Sequence, residues 1–200
     1  MYNPPEPLGS TIPMRLVVTP TAIEEVKLIE PRAFSDARGF FQELHHRDTY
    51  RDAGIDCTFV QDNWSRSSRH TLRGLHYQLR YPQAKLVTVI QGAILDVAVD
   101  IRRGSPTFGQ SVAQELSAEN HHQLFVPDGF AHGFCVLSEV ADVLYKCNDI
   151  YHADDDYGIA WNDPDLHIDW PIEAPNLSEK DQLHPCLKDV PPGQLPDYTA

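Results

Sequence analysis

His76 and Lys85, nine residues apart in a chain of 200, are the side chains hardest to explain as packing. They lie in the stretch Thr71 to Gly92, TLRGLHYQLRYPQAKLVTVIQG. An imidazole can take a proton near neutral pH, and an ammonium can stabilise the anion that forms as the proton leaves. A third group, the phenol of Tyr145 in Val140-Ala141-Asp142-Val143-Leu144-Tyr145-Lys146, can supply a proton as a general acid. Strand alternation sets Tyr145 on the side of Val143 and Cys147, the inward side, where its hydroxyl needs a polar partner. Taken singly, a strand histidine or a buried tyrosine is more often a core residue. Together they outline a pocket for proton transfer.

The elements that must hold these groups are short. From Leu72 onward the alternation turns His76 and Gln78 to one side and Arg73, Leu75 and Tyr77 to the other. Lys85 opens the run Leu86 to Ile90, closed by a turn at Gly92, which predicts His76 and Lys85 on neighbouring strands of one sheet. Leu95, Val97, Val99 and Ile101 alternate with Asp96, Ala98 and Asp100, the pattern of a half-buried strand. Further strands are expected at 15–18, 23–30, 59–64, 111–116, 123–126, 133–137 and 140–147. Phe34 to Gly39 reads as a turn, Phe40 to Leu44 as the strand leaving it, and Asp48 to Ala53 as a short helix closed by Gly54. Turn signals recur every ten residues or so with no long 3.6-period segment, which predicts an all-β sandwich or barrel with short peripheral helices. A single domain is expected over 1–200, its core at about 15–170. A proline-rich covering segment follows over 171–200, with a helical candidate at Ser178 to Leu183. The proline-rich arm ending at Pro13 is expected to order only against a partner.

Sixteen basic and twenty-nine acidic residues give a formal charge of −13, which argues against nucleic acid and membrane surfaces as partners. A small phosphorylated ligand held by a few local arginines remains compatible. Cys57, Cys135, Cys147 and Cys186 form no CxxC pair or zinc spacing and read as free thiols of a cytoplasmic protein. The first residues carry no signal-peptide pattern, and no apolar run approaches the ~20 residues of a membrane span. His45, His46, His121, His122, His152 and His167 read as surface histidines. Arg102-Arg103 reads as a solvated turn, and Asp154 to Asp156, without EF-hand spacing, as a solvated acidic loop.

Pro127-Asp128-Gly129-Phe130-Ala131-His132-Gly133 is a PxGxxH motif, and with the His76 strand and its glycine turn it resembles the two-part pattern of the cupin superfamily. Cupins are small jelly-roll barrels whose metal-binding members use two histidines and a glutamate from the first motif and a histidine from the second. Here the first motif offers only His76-Tyr77-Gln78, and Lys85 stands where the glutamate would be. An ammonium repels a divalent cation, and His76 with His132 cannot supply three or four ligands. A metal-dependent dioxygenase or isomerase is disfavoured.

A closer resemblance rests on several motifs in one order. Phe59-Val60-Gln61-Asp62-Asn63, Leu72 to Gln78, Asp96 to Arg102 with Ser105 to Gln110, Leu116 to Asn120, and Pro127 to Phe134 are similar in order and spacing to the dTDP-4-dehydrorhamnose 3,5-epimerase family, over about Ile23 to Asp181. That family implies a cupin-type jelly roll, a homodimer, no metal or other cofactor, and epimerisation of a dTDP-linked 4-keto-6-deoxy sugar beside its ketone. Position by position, the resemblance makes His76 the base, Asp181 its orienting carboxylate, Tyr145 the acid and Lys85 the group that stabilises the enolate. It makes Arg38, Glu43, Gln61, Asn63, Arg73, Lys85, His132 and Lys180 contacts of the nucleotide sugar. It makes Asp156 a further contact, one that departs from the pattern, since the better-known members carry glutamate there, a carboxylate one methylene longer.

The residue types suit that chemistry. A carbon acid beside a ketone needs a positioned base and a cation at the developing oxyanion. Inversion then needs a proton from the opposite face, which one base in one place cannot deliver. The diphosphate calls for Arg38 and Arg73, and a thymine could stack on an aromatic ring. A C3 or C5 monoepimerase would keep the same residues. The reading from another class is a non-catalytic cupin that binds a sugar or nucleotide, but a binder has no need of a proton donor opposite a base.

Overall fold

Glycines and polar turn clusters cut the chain into short strands, and every ladder between those strands is antiparallel. The structure, a computed structural model, describes residues 16–199, so the arm ending at Pro13 lies outside it. One sheet holds β1 (Val17–Pro20), β2 (Lys27–Glu30), β5 (Gln61–Ser68), β7 (Lys85–Gln91), β10 (Gln123–Val126) and β12 (Val140–Cys147), in the order β1-β2-β10-β7-β12-β5. The other holds β6 (Leu72–Gln78), β8 (Ala93–Asp100), β9 (Ser111–Ser117), β11 (Phe130–Val136) and β13 (Asp156–Gly158), in the order β13-β6-β11-β8-β9. Among the described residues, the hairpin of β3 (Ala33–Asp36) and β4 (Gly39–Gln42) pairs only with itself. The two larger sheets face each other as a jelly-roll sandwich.

Three apolar layers explain why so many strands are buried on both faces. Val87, Val89 and Val143 of one sheet meet Ala98, Val112 and Phe134 of the other between the sheets. Outside the five-stranded sheet, Val97, Val99 and Ile101 are covered by Leu187, Val190 and Leu195 of the C-terminal segment. Outside the six-stranded sheet, Ile29 and Leu86 pack on Tyr50 and Ile55. Tyr50 belongs to α1 (Arg47–Asp52), whose N-cap His46 accepts from the Thr49 amide. Each fully buried aliphatic side chain is worth roughly 1.5–3 kcal/mol. Among the described residues no helix is long and apolar enough to cross a membrane.

Several expectations are corrected. His76 and Lys85 do not lie on neighbouring strands; β6 and β7 belong to opposite sheets, because alternation reports the face of a strand and not its partner. β8 is not half-buried: Asp96, Ala98 and Asp100 are as inaccessible as Val97 and Val99, with the polar side facing inward and the apolar side under the C-terminal segment. The stretch read as a turn contains β3 as far as Asp36. The helical candidate at Ser178 to Leu183 shrinks to one 3-10 turn, Asp181–Leu183. Asp155 is buried and accepts from the Arg80 side chain and the Tyr81 amide, so the acidic run is not simply solvated. Arg102 also leaves solvent, pairing with Asp100 and lying over Phe130.

Candidate active site

Register in the six-stranded sheet builds one wall of the site. Cys147 stands between Gln61 and Lys85, and Tyr145 two residues away stands between Asn63 and Val87. These side chains therefore share the inward face. On the opposite wall His132 pairs across the ladder with His76. The strands carrying these histidines approach closely at Gly74, where φ is +118° and a Cβ would stand 2.6 Å from the Gly133 Cα. Only glycine allows that approach.

Each imidazole is backed by a buried carboxylate. His76 Nε2 is 2.6 Å from Asp181 Oδ1, and His132 Nε2 is 2.8 Å from Asp96 Oδ1. Asp181 comes from the C-terminal segment, where its amide donates to Ser178 Oγ, so the covering segment also supplies a site group. With Nε2–H donated to the carboxylate, Nδ1 of His76 carries the lone pair that can take a proton. Burial works to raise the Asp181 pKa, but contacts with His184 and His76 more than offset it and hold the carboxyl far below the usual range.

The opposite wall is unlike this. Burial lowers the Lys85 pKa and raises that of Tyr145, the latter against the pull of Arg73. Burial also raises the Cys147 thiol next to Lys85, so the lysine has a neutral neighbour there. Among the described residues neither Lys85 nor Tyr145 has a hydrogen bond contributing to its titration.

Two adjoining cavities, of about 350 and 160 Å³, open between the walls. His76, Lys85 and Tyr145 are the three residues that line both. Gln61, Asn63 and Asp156 line the larger cavity, and Arg73 and His132 the smaller. Lys180 pairs with Asp156, which also accepts from Tyr151 Oη at 2.7 Å. Those contacts outweigh burial and lower the Asp156 pKa.

Two expected contacts do not join them within one chain. Arg38 sits on the exposed β3–β4 turn and pairs with its own Asp36 at 2.6 Å. Glu43 lines a separate small cleft with Arg32 and Tyr50. Residues missed in the sequence include Tyr151 and Ser65, which line the cavities, and Asp96, whose place on the polar side of β8 is visible in the alternation but whose inward orientation is not. His184, edge-on to His76 with ring centroids 5.7 Å apart, had none. Among the described residues, His76, Asp181 and His184 form a cluster with donor atoms all within 4.8 Å of one another.

The family model for dTDP-4-dehydrorhamnose 3,5-epimerase matches residues 20–189. The chain belongs to that family. A dTDP-4-dehydrorhamnose 3,5-epimerase of Pseudomonas aeruginosa is 56% identical over 174 residues, 86% of this chain and 96% of that protein. The epimerase of Legionella pneumophila, solved in complex with dTDP-4-keto-L-rhamnose, superposes with a TM-score of 0.91 at 49% identity, covering 93% of this chain and all of the other. A 3'-monoepimerase of Streptomyces bikiniensis, solved with dTDP-quinovose, has a TM-score of 0.84 at 36% identity, with 90% and 92% covered. The epimerase fold thus accommodates both double and single inversion.

Proposed function

We propose that the chain epimerises dTDP-4-dehydro-6-deoxyglucose at C3 and C5 to dTDP-4-dehydrorhamnose. The observation that carries this reading is the placement of His76 on one wall and of Lys85 and Tyr145 on the other, all three lining both cavities. A sugar ring at that junction meets the base on one face and the acid on the other. His76 Nδ1 removes the proton beside the ketone while Asp181 stabilises the imidazolium. The Lys85 ammonium meets the enolate oxygen. The Tyr145 phenol returns a proton to the far face, His76 gives its proton to solvent and the phenolate takes one back, and the sequence repeats at the second carbon. Every step is a proton transfer, so the chemistry calls for no redox carrier. Arg73 and the Lys180–Asp156 pair border the space for the nucleotide diphosphate.

A homodimer belongs to the same reading. Phe40 and Phe41, on the hairpin that carries Arg38, are 62% and 68% exposed, and an apolar groove beside them includes Val89 and Ile90. A second copy laid on that face would cover the phenylalanines and bring Arg38 and Glu43 towards the cavity of its partner. Mixing inactive Arg38→Ala and His76→Ala chains should then restore part of the activity by forming one intact site per mixed dimer.

Incubation with dTDP-4-dehydro-6-deoxyglucose in deuterated water tests the reaction itself. Label at C3 and C5 with inversion at both is the expected result. Inversion at a single carbon would replace the proposal with a monoepimerase, and an absence of exchange would leave a binding module.

A further inference from the structure

We propose that His76, Asp181 and His184 form a binding site for a divalent cation of the zinc type, and that its occupation takes the base out of use. The inhibitory half rests on the proposed role of His76; the site itself rests only on the geometry. Two imidazoles and one carboxylate, with a further position open to water or ligand, are the donor set of open zinc sites.

Local structure gathers these donors. Asp181 opens a 3-10 turn and His184 caps its end three residues on, and one such turn of about three residues brings the chain back to the same side. His76 reaches the same carboxylate oxygen from β6. The His184 ring sits against Gly158, where a Cβ would collide with it, so the backbone of β13 provides its seat. Among the described residues the buried His184 Nε2 has no close hydrogen-bond partner; its contact with the Asp181 carboxylate is long, 3.6 Å to Oδ1. A buried ring nitrogen left unpaired is costly, and a cation at this spot would satisfy it.

The donor spacings, 2.6 and 3.6 Å from the carboxylate and all within 4.8 Å of one another, bracket what a metal needs. Bonds of ~2.0–2.1 Å in a tetrahedral site place donor atoms about 3.4 Å apart. The 3.6 Å edge from Asp181 to His184 already fits. The 2.6 Å edge from Asp181 to His76 must open, which the His76 ring, 35% exposed and bordering the cavities, can do by turning. Imidazole donors favour zinc, nickel and copper over magnesium and calcium, which take oxygen. The ion would compete with the sugar for the pocket and with the proton for His76.

The test is calorimetry on chelator-treated protein with Zn²⁺ and Mg²⁺. One Zn²⁺ per chain with micromolar or tighter affinity is expected, with no response to Mg²⁺, and His184→Asn should weaken Zn²⁺ binding by roughly a hundredfold. Co²⁺ added to the unaltered protein should give the visible absorption of a four-coordinate site, a readout independent of any variant. Turnover, taken relative to each protein's own chelated rate, should fall with Zn²⁺ in the wild type and resist it in His184→Asn. Absence of binding, or binding unchanged in His184→Asn and in His184→Gln, overturns the site. Binding that depends on His184 but leaves turnover untouched upholds the site and overturns His76 as the base.

Discussion

On the five-stranded wall of the cavity the imidazoles are tied down, His76 to Asp181 and His132 to Asp96, whereas on the six-stranded wall burial outweighs the charges of Asp96 and Asp156 near Lys85 and the pull of Arg73 on Tyr145. The difference matches what each wall is asked to do in the proposed reaction. A base must present one nitrogen, in one tautomer, to one carbon, and a buried carboxylate fixes both. An oxyanion stabiliser and a proton donor must instead keep their hydrogen-bonding capacity for the substrate. The first wall is organised by partners within the fold; among the described residues the second leaves Lys85 and Tyr145 without hydrogen-bond partners, at a cost to stability.

The largest effect should follow from emptying the partnered wall. His76→Ala removes the base, so exchange of the sugar hydrogens and inversion should fall together, by about 10²–10⁴-fold or more. Substantial exchange in this variant would mean that the base lies elsewhere. Asp181→Asn should lower kcat more than it raises KM, since the imidazole loses its orientation and the partner of its cationic form.

Tyr145→Phe tests the other wall. The ring stays and only the donor goes, so the enolate should still form and be reprotonated by His76 on its original face. Deuterium should enter with retained configuration while inversion falls by roughly 10²-fold or more. Inversion at the wild-type rate would break the assignment of opposite faces.

Lys85→Met reads both halves of the contrast at once. Turnover should fall by roughly 10²–10³-fold, yet the protein should gain on the order of 1 kcal/mol, ~2–4 °C in Tm, because a buried ammonium has been replaced by an apolar chain of similar length. The sign follows from linkage. The Lys85 pKa is lowered from its ordinary 10.5, so between the folded and unfolded values the unfolded state binds more protons and wild-type stability rises with pH. The advantage of the variant should be full below the folded pKa and shrink as pH approaches 10.5. Activity of the wild type should fail over that same rise, as the amine loses the charge that meets the enolate oxygen.

The sequence made parts of both walls legible, for different reasons. Lys85 stood out because an ammonium occupies a metal-ligand slot, and Tyr145 because strand alternation turns it inward. Which sheet each strand joins is not legible in alternation, so the sequence predicts His76 and Lys85 side by side where the structure sets them on facing sheets. Asp96 was assigned to the polar side of β8 without any sign that this side faces inward, since the apolar side is buried as well, by residues some ninety positions later. Asp181 is 105 residues from His76, and only the family resemblance pointed to it. His184 answers to no local pattern, because what makes it notable is the contact with Asp181 and the vacancy at Gly158.

The smallest expected effect lies at the cavity mouth, where the two kinds of wall meet. Asp156 opens β13 opposite Gln78 and lines the larger cavity, at a position where the family resemblance implies glutamate. Its carboxylate is held by Lys180 and Tyr151, so it resembles the partnered wall, but Lys180 is a flexible chain that is 46% exposed. A longer carboxylate can therefore be met by a small retreat of the lysine, without disturbing His76 or Tyr145. Asp156→Glu should leave kcat unchanged and shift KM by no more than about threefold, within the ~0.2–1 kcal/mol of a partly exposed ion pair. Asp156→Asn removes the charge that holds Lys180 and should raise KM further, again with little change in kcat. A fall in kcat for Asp156→Glu, measured with saturating substrate, would show that the mouth positions the reacting sugar and does more than retain the nucleotide.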